Sequence, residues 1–279
     1  MFERISLRRR LVNQLMLGLL FAGAILAAVP FFFISWYVLQ KGLGALSVEF
    51  FTQTPVGPGQ QGGGMANAIV GSSIMLTLAS LLGIPWGMAA GIYLSEYGRG
   101  KTAQTLRFAV DLLTSVPSIV VGIFIYGVIV IHFGFSAYAG GAALAVIMIP
   151  IVARSTEEIL KLTPQHIREA GLGLGLPRWR VILRIVLPGS RAALLTGVML
   201  ALARVAGETA PLLFTALGNQ FFSHSLSEPT SSLPVQIYNF AKSGYPDMEA
   251  MAWGGALVLV LFVFIINLVT RALMGMRWN

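Results

Sequence analysis

The chain has 279 residues, of which 56% are hydrophobic and only 11% are charged, and its mean hydropathy is +0.78. Soluble domains carry about 25% charged residues, so this composition excludes a soluble globular domain. The net charge of +8 could mark a nucleic-acid-binding surface, but the basic residues gather in short segments between long apolar ones. That arrangement is typical of a membrane protein, and we expect no nucleic acid among its partners. Cysteine is absent, which excludes disulfides, thiolate metal sites and a cysteine nucleophile.

Apolar stretches long enough to cross the roughly 30 Å of bilayer hydrocarbon recur along the chain. Helices are expected in all of them, because a spanning barrel would need alternating strands of about ten residues. The sequence therefore predicts an all-α integral membrane protein. Six transmembrane helices are predicted, at residues 14–39, 67–94, 107–132, 137–154, 192–217 and 251–271.

The distribution of basic residues predicts the orientation. If the chain starts inside the cell, all but three of its 19 Lys and Arg residues fall in cytoplasmic segments, the exceptions being Lys41, Lys242 and Arg204. The positive-inside rule then places both termini in the cytoplasm of a multi-pass protein of the cell (inner) membrane. The first apolar run follows a basic start, as in a signal peptide, but it continues to Leu39. It exceeds the 7–15 apolar residues of a signal peptide, which predicts an uncleaved anchor.

Composition also divides the chain. Residues 1–40 are predicted to form an N-terminal cytoplasmic tail and an accessory transmembrane helix. Residues 41–66, rich in Gly and Pro, are predicted to be an external loop. Residues 67–275 are predicted to form the transmembrane domain, with a basic cytoplasmic loop at 154–191.

A second external segment, at 218–250, contains a predicted short helix. Pro234 can occupy its first turn, and Ile237, Phe240 and Ala241 then fall on one face. This helix packs over the ends of the membrane helices, rests on the membrane surface or contacts an external partner. The sequence leaves these interpretations open.

The third span is interrupted by Pro117, which removes a backbone hydrogen bond. Hydroxyl groups of Thr114, Ser115 and Ser118 lie at the break and can satisfy the carbonyl group that this frees. Near the start of the same span, Asp111 stands four residues after Arg107. The spacing predicts that the two pair on one helix face.

The basic loop is predicted to contain two short helices. Thr163 can cap a helix that starts at Pro164, and a run of glycines up to Gly175 ends that helix. A second helix is predicted to start at Pro177. Pro188 then redirects the chain into the next span.

The same loop carries a spaced set of residues: Glu169, Ala170, Gly171, Gly175, Ile185, Leu187 and Pro188. This set resembles the EAA loop of the permeases of binding-protein-dependent ABC importers, in which EAA is followed by three residues, a glycine, nine residues and I-x-L-P. The one departure is Gly171 in place of the second alanine. Because this loop docks into a cleft of the ATP-binding subunit in such permeases, the resemblance implies an ATPase-docking role for Glu169, Ala170, Gly171 and Gly175.

The resemblance extends over about residues 50–275 to the permeases of phosphate importers. It is carried by the segments 62–67, 90–97, 115–122 and 204–214. It implies a type I importer permease core, MetI-like, of five helices after the N-terminal helix. It also implies a second permease subunit, two ATP-binding subunits, an extracytoplasmic phosphate-binding protein and membrane lipid as partners. The chain itself would be non-catalytic, without a cofactor, and ATP would be hydrolysed by a partner.

Two charged pairs lie in or near predicted spans. An unpaired charge at a helix centre costs about 2.5–3.5 kcal/mol on insertion scales, so Arg204 and Glu208 are predicted to face protein or water and can pair at i, i+4. The planar fork of arginine suits phosphate oxygens, which predicts a substrate path at this pair. The alternative is a buried pair that fixes helix packing. Arg154 and Glu157, at i, i+3, are either topology anchors or exit-gate residues by position, and the resemblance associates them with transport.

Motifs for catalysis or metal binding are missing from the sequence. The Gly-Lys-Thr run ending at Thr102 lacks the earlier glycine of a phosphate-binding loop, because Ser95 stands there. The histidines are scattered and show no metal-ligand spacing: His132, His166 and His224. The resemblance implies import of inorganic phosphate by alternating access. The alternatives are a permease for sulfate or molybdate, an integral-membrane enzyme, or a structural membrane subunit.

Overall fold

The protein is described here by a computed structural model covering residues 7–60 and 62–275, so the basic residues Arg4 and Arg277 lie outside the described part. Within these ranges the regular structure is helical and contains no strand. The α-helices are α1 (Leu7–Leu43), α2 (Val48–Thr52), α3 (Ala66–Ile92), α4 (Gly100–Ser115), α5 (Ser118–Ile125), α6 (Ile131–Phe133), α7 (Ala137–Lys161), α8 (Gln165–Gly173), α9 (Arg178–Val181), α10 (Leu187–Ala206), α11 (Ala210–Thr215), α12 (Leu233–Ala241) and α13 (Pro246–Gly275). Single π-helical turns follow α3, α5 and α9, at Tyr93–Tyr97, Tyr126–Val130 and Ile182–Val186.

Five continuous helices of the described chain are long and apolar enough to cross a membrane: Leu11–Leu43, Ala66–Tyr97, Ala137–Lys161, Arg178–Ala206 and Pro246–Leu268. The predicted span at 107–132 is a broken one. Its two halves, α4 and the helix from Ser118 to Phe133, meet at an angle of 101°. Val116 and Pro117 are extended between them, since proline cannot donate the next helical hydrogen bond. Thr114 and Ser115 donate to the carbonyl groups of Val110 and Leu112, and not to that of Leu113, the group that Pro117 leaves without its helical donor.

The fifth span also differs from its prediction. One continuous helix runs from Arg178 to Ala206 and comprises α9, the π turn and α10. The prediction of a separate second helix in the basic loop that ends before Pro188 is therefore wrong. Local π adjustment accommodates a proline that lacks a backbone donor. At the other end α10 stops at Ala206, and α11 begins only at Ala210. The predicted span at 192–217 is therefore broken at residues 207–209.

The core of the bundle is the packing of α3 on α7. Gly83, Gly87 and Gly91 recur every four residues along α3 and face α7. A Cβ atom at Gly87 would lie 2.7 Å from the Cβ of Val152 and 2.8 Å from the carbonyl oxygen of Ile149. Small residues at this spacing let two membrane helices approach closely. α3 and α7 thus form a tightly packed pair.

We expect the Gly87→Ala variant to be less stable than the parent protein. Its new Cβ would overlap the backbone of α7, and overpacking costs about 1–3 kcal/mol. The matched control is Gly23→Ala in α1, where no heavy atom lies within 4 Å of the added Cβ. Thermal unfolding of the detergent-solubilised protein should show a lower midpoint for Gly87→Ala alone. Equal midpoints would contradict the tight α3–α7 contact.

α1 lies beside α13 at the edge of the bundle. The rings of Tyr37 and Trp253 pack edge to face with centroids 5.0 Å apart, and a Cβ at Gly42 would meet the Cβ of Leu257 at 2.7 Å. Most of the large apolar side chains of α1 are exposed, including that of Phe33. Such a surface requires lipid or a second protein around it.

The segment after α11 folds over the start of α3. As predicted, Pro234 lies in the first turn of α12, and Ser232 caps that helix by accepting a hydrogen bond from the backbone N–H of Val235. Ile237 and Phe240 pack on the buried cluster around Phe50, Met65 and Val258, whereas Ala241 is exposed. The backbone N–H of Leu233 donates to the Ser72 hydroxyl at 2.7 Å. These contacts support the interpretation that α12 packs over the helix ends.

Candidate functional site

α8 is the helix of the EAA-like loop, and a glycine ends it as predicted. Gly175 has a φ of 76°, its N–H donates to the carbonyl of Leu172, and the N–H of Leu176 donates to the carbonyl of Gly171. These two bonds form a Schellman motif, which satisfies carbonyl groups that a helix end leaves free. The predicted cap is wrong: Thr163 does not cap α8, and its hydroxyl instead lies 3.1 Å from that of Ser190.

The four predicted docking residues do not share one environment. Glu169, Ala170 and Gly175 are exposed, whereas Gly171 is buried. A Cβ at Gly171 would lie 2.9 Å from a methyl group of Val181, in the helix that leads into α10. Gly171 thus stands in place of the second alanine of the motif at a point where α8 lies close to the helix that starts at Arg178. Gly171 therefore packs α8 onto its own chain and is not part of an exposed docking face.

Large apolar side chains surround the exposed residues of the loop. They include Leu162, Leu172 and Leu174, of which Leu174 is 80% exposed. On the helix, Leu174 lies on the side of Ala170 and Leu172 on the side of Glu169, so exposed apolar groups flank both docking residues and suit a protein partner. We call the exposed residues Leu162, Glu169, Ala170, Leu172 and Leu174 the α8 face.

The Gly175→Ala variant is expected to loosen α8. A residue with a Cβ in the left-handed conformation costs about 1–2 kcal/mol, which should speed exchange of the α8 amide protons by about 5- to 30-fold. Gly173→Ala is the matched control, because it also has nothing within 4 Å of the added Cβ but lacks the positive φ. Hydrogen exchange measured on residues 165–173 distinguishes the two. Equal protection in both variants would remove the left-handed turn as the reason for this glycine.

A network of charged side chains joins α4 to the end of α7. Glu157 is fully buried, and one of its carboxylate oxygens lies 2.6 Å from Nε of Arg107 and 2.6 Å from Nζ of Lys161. Arg107 also donates to the carbonyl of Leu94 at 2.8 Å. Two cations thus compensate one buried carboxylate, as burial of a charge requires. Residue spacing does not predict this pairing, because Arg107 lies 50 positions before Glu157 in the sequence.

Arg154 is shared among three acids. It lies 2.8 Å from Glu158, 3.5 Å from Asp111 and 4.0 Å from the second oxygen of Glu157. The predicted Arg154–Glu157 pair is thus present, but as the longest of these contacts. The predicted Arg107–Asp111 pair is wrong: Arg107 turns to the buried Glu157, and the more exposed Asp111 is left to Arg154.

Arg204 and Glu208 do not pair, contrary to the prediction. α10 ends at Ala206, so Glu208 lies outside the helix and the two side chains are not stacked one turn apart. Arg204 is exposed, and within the described ranges its guanidinium has no ion pair or hydrogen bond. It shares an exposed stripe of α10 with Thr196 and Leu200. The alternative of a buried pair that fixes helix packing is thereby also wrong.

The two broken spans pack on each other. A Cβ at Gly122 in α5 would lie 2.6 Å from the Cα of Pro211 in α11. Irregular backbone within a membrane span is tolerated where it is buried in protein or lines a watery cavity. The break at 207–209 begins three residues after Arg204. An exposed cation and a helix break therefore occur together on this part of the bundle.

Long apolar helices, two broken spans and a basic helical loop define a membrane transport component. The family described as binding-protein-dependent transport system inner membrane component matches residues 83–276, and the chain belongs to this family. The phosphate transport system permease protein PstA of Pasteurella multocida (strain Pm70) is 46% identical to it, over 94% of each chain. The protein of the same name from Xylella fastidiosa (strain 9a5c) is 45% identical, over 96% of this chain and 94% of that one.

Solved structures confirm the predicted fold. A chain of a bacterial ABC transporter involved in the import of the acidic polysaccharide alginate has a TM-score of 0.64 and 17% identity, over 94% of this chain and 99% of that one. A chain of the MetNI methionine ABC transporter in an inward-facing conformation has a TM-score of 0.62 and 19% identity, over 75% of this chain and 95% of that one. The all-α permease architecture is therefore that of ABC importer membrane subunits.

Proposed function

We propose that the chain is the permease subunit of an ATP-driven importer of inorganic phosphate. It would receive the ion from an extracytoplasmic binding protein and release it into the cytoplasm by alternating access. The observation that carries this proposal is the 46% identity to a phosphate transport permease over 94% of each chain. The subunit is non-catalytic, and ATP hydrolysis belongs to a partner.

The substrate path is proposed to pass Arg204. A guanidinium on an exposed face of a membrane helix is costly against lipid, so this stripe of α10 must face water or another protein. Its free donors can bind two oxygens of a phosphate ion at once. Glu208, in the adjacent helix break, would keep the local positive charge from holding the anion too tightly.

Arg154 and Glu157 are proposed to act at the cytoplasmic end of the path, with different roles. Glu157 is held by Arg107 and Lys161, which makes it an anchor for Arg154 and α4. Arg154 is partly exposed and bridges several acids, so it can exchange partners as an anion passes. Arg154 is therefore the gate residue of the pair.

The partners follow from the surfaces of the subunit. We assign the exposed stripe of α10 to a second, PstC-like permease and the α8 face to one of two PstB-like ATP-binding subunits. A PstS-like phosphate-binding protein would dock at the opposite end, near α12. This arrangement puts α8 and both termini in the cytoplasm, in agreement with the basic residues of the loop.

Reconstitution of the chain with its co-purifying subunits tests this function. ATP-dependent uptake of labelled phosphate into proteoliposomes is the expected result, with excess sulfate or molybdate competing poorly. Efficient competition by either ion would instead assign the permease to that oxyanion. Uptake without ATP, or none with all subunits present, would overturn the proposal.

A further inference from the structure

Glu96 is a buried carboxylate at the end of α3 that the proposed path does not use. It lies in the π turn Tyr93–Tyr97, and only 3% of its side chain is exposed. Nε of Arg168 donates to both of its oxygens, at 3.2 and 3.1 Å, and Nη2 of Arg168 donates to one of them at 2.6 Å. Such a forked, charge-assisted contact fixes orientation as well as distance.

Arg168 ties three segments together through one guanidinium. Besides Glu96, it donates to the carbonyl oxygens of Leu160 at 2.7 Å and Thr163 at 2.6 Å, where α7 ends. Arg168 itself lies in the middle of α8. The ends of α3 and α7 are therefore joined to α8 through this side chain.

Arg178 makes a second tie to the same turn. Its Nη2 donates to the backbone carbonyl of Glu96, and its guanidinium lies over the ring of Tyr97, 5.0 Å from the centroid. Arg178 is the first residue of α9, just beyond the glycine-rich end of α8. The basic loop is thus held to the end of α3 at two points, one within α8 and one just after it.

We propose that the Glu96–Arg168–Arg178 link makes α3 follow α8, and that Glu96 is a positioning residue for transport. This inference rests on the proposed function, in which an ATP-binding subunit moves α8. The apolar packing of α8 is against the helix that follows it, through Gly171 and Val181. The polar link also connects α8 directly to the end of α3, so α3 would move together with α8. Without the link, a push on α8 would reach α10 through the apolar packing, and it would reach α3 only indirectly, through the connection at residues 162–164 and α7.

The Glu96→Gln variant tests the link, because the amide keeps the size of the side chain and removes its charge. In the reconstituted complex we expect ATP hydrolysis to persist while phosphate uptake per ATP falls about tenfold, a typical size for coupling between sites. Arg168→Lys, which keeps the charge but loses the fork, should behave alike. Glu249→Gln, an exposed carboxylate in the first turn of α13, is the matched control and should not change the ratio. An unchanged ratio in Glu96→Gln would overturn the inference.

A distance measurement separates coupling from simple stability, and it does not depend on which anion is carried. The chain has no cysteine, so labels can be attached at Gln165→Cys and Arg99→Cys, two exposed positions that line one cavity of about 420 Å³ beside Glu96. The distance between the two spin labels should be the same in the nucleotide-free and the ATP-bound complex. When Glu96→Gln is added, this distance should differ between the two states. A separation that changes with nucleotide in the chain with intact Glu96 would contradict the link. If the complex with unsubstituted Glu96 fails to take up phosphate, the proposed function fails, and the label distances still decide on the link.

Discussion

The Arg204→Gln variant is expected to lose phosphate uptake while the transporter still assembles. Loss of a charge-assisted contact worth up to about 3 kcal/mol corresponds to a fall of about 100-fold in the initial rate. Assembly should survive because glutamine keeps a polar side chain on the α10 stripe that is assigned to the second permease, and because Arg204 has no acidic partner within the described chain that the substitution would leave unpaired. The measurement is the initial rate of labelled phosphate uptake in proteoliposomes that contain equal amounts of complex.

Two further variants separate charge from shape at this position. Arg204→Lys retains the positive charge without the planar fork, and we expect uptake between that of the parent and that of Arg204→Gln. Arg191→Gln makes the same chemical change near the other end of α10, at an exposed residue without a partner in the described chain, and should transport normally. Normal uptake by Arg204→Gln would remove this residue from the mechanism.

The local patterns of the sequence predict the regular parts of the fold. Apolar length identifies the spans because the bilayer requires it, and Gly175 predicts the end of α8 because few other residues adopt a positive φ. The breaks at Pro117 and at residues 207–209 are different. Hydropathy averaged over a long apolar segment does not change when two or three of its residues are not helical. Pro117 predicts an interruption, but the 101° angle depends on how α5 packs on α11.

The pairings of the charged residues could not be read from spacing. Rules for i, i+3 and i, i+4 consider neighbours on one helix, and they predict Arg107 with Asp111 and Arg204 with Glu208. Arg107 instead pairs with Glu157, because the carboxylate of Glu157 is fully buried and needs a compensating charge more than the exposed carboxylate of Asp111 does. Arg204 loses its predicted partner because the helix ends two residues after it. Both outcomes depend on tertiary contacts that a single sequence does not reveal.

The Ala170→Glu variant is expected to abolish transport by a different route, the loss of the ATP-binding subunit. Ala170 is exposed on α8 beside the apolar side chains of the α8 face. A carboxylate buried there without a partner should weaken docking by at least 2 kcal/mol, or about 30-fold. ATP hydrolysis and phosphate uptake should then fall together, and less ATP-binding subunit should co-purify with the chain.

The neighbouring glycine provides the contrast that makes this experiment specific. Gly171→Ala adds a methyl group toward Val181, inside the chain, and should lower the thermal midpoint while the α8 face keeps its chemistry. Ala170→Glu changes an exposed side chain and should leave that midpoint unchanged. Ala241→Glu, an exposed alanine at the end of α12, controls for the effect of an added charge on the thermal midpoint and on co-purification of the ATP-binding subunit. Retention of the ATP-binding subunit by Ala170→Glu would exclude the α8 face as the docking surface. Its loss in Gly171→Ala alone would mean that docking depends on how α8 is held rather than on what α8 exposes.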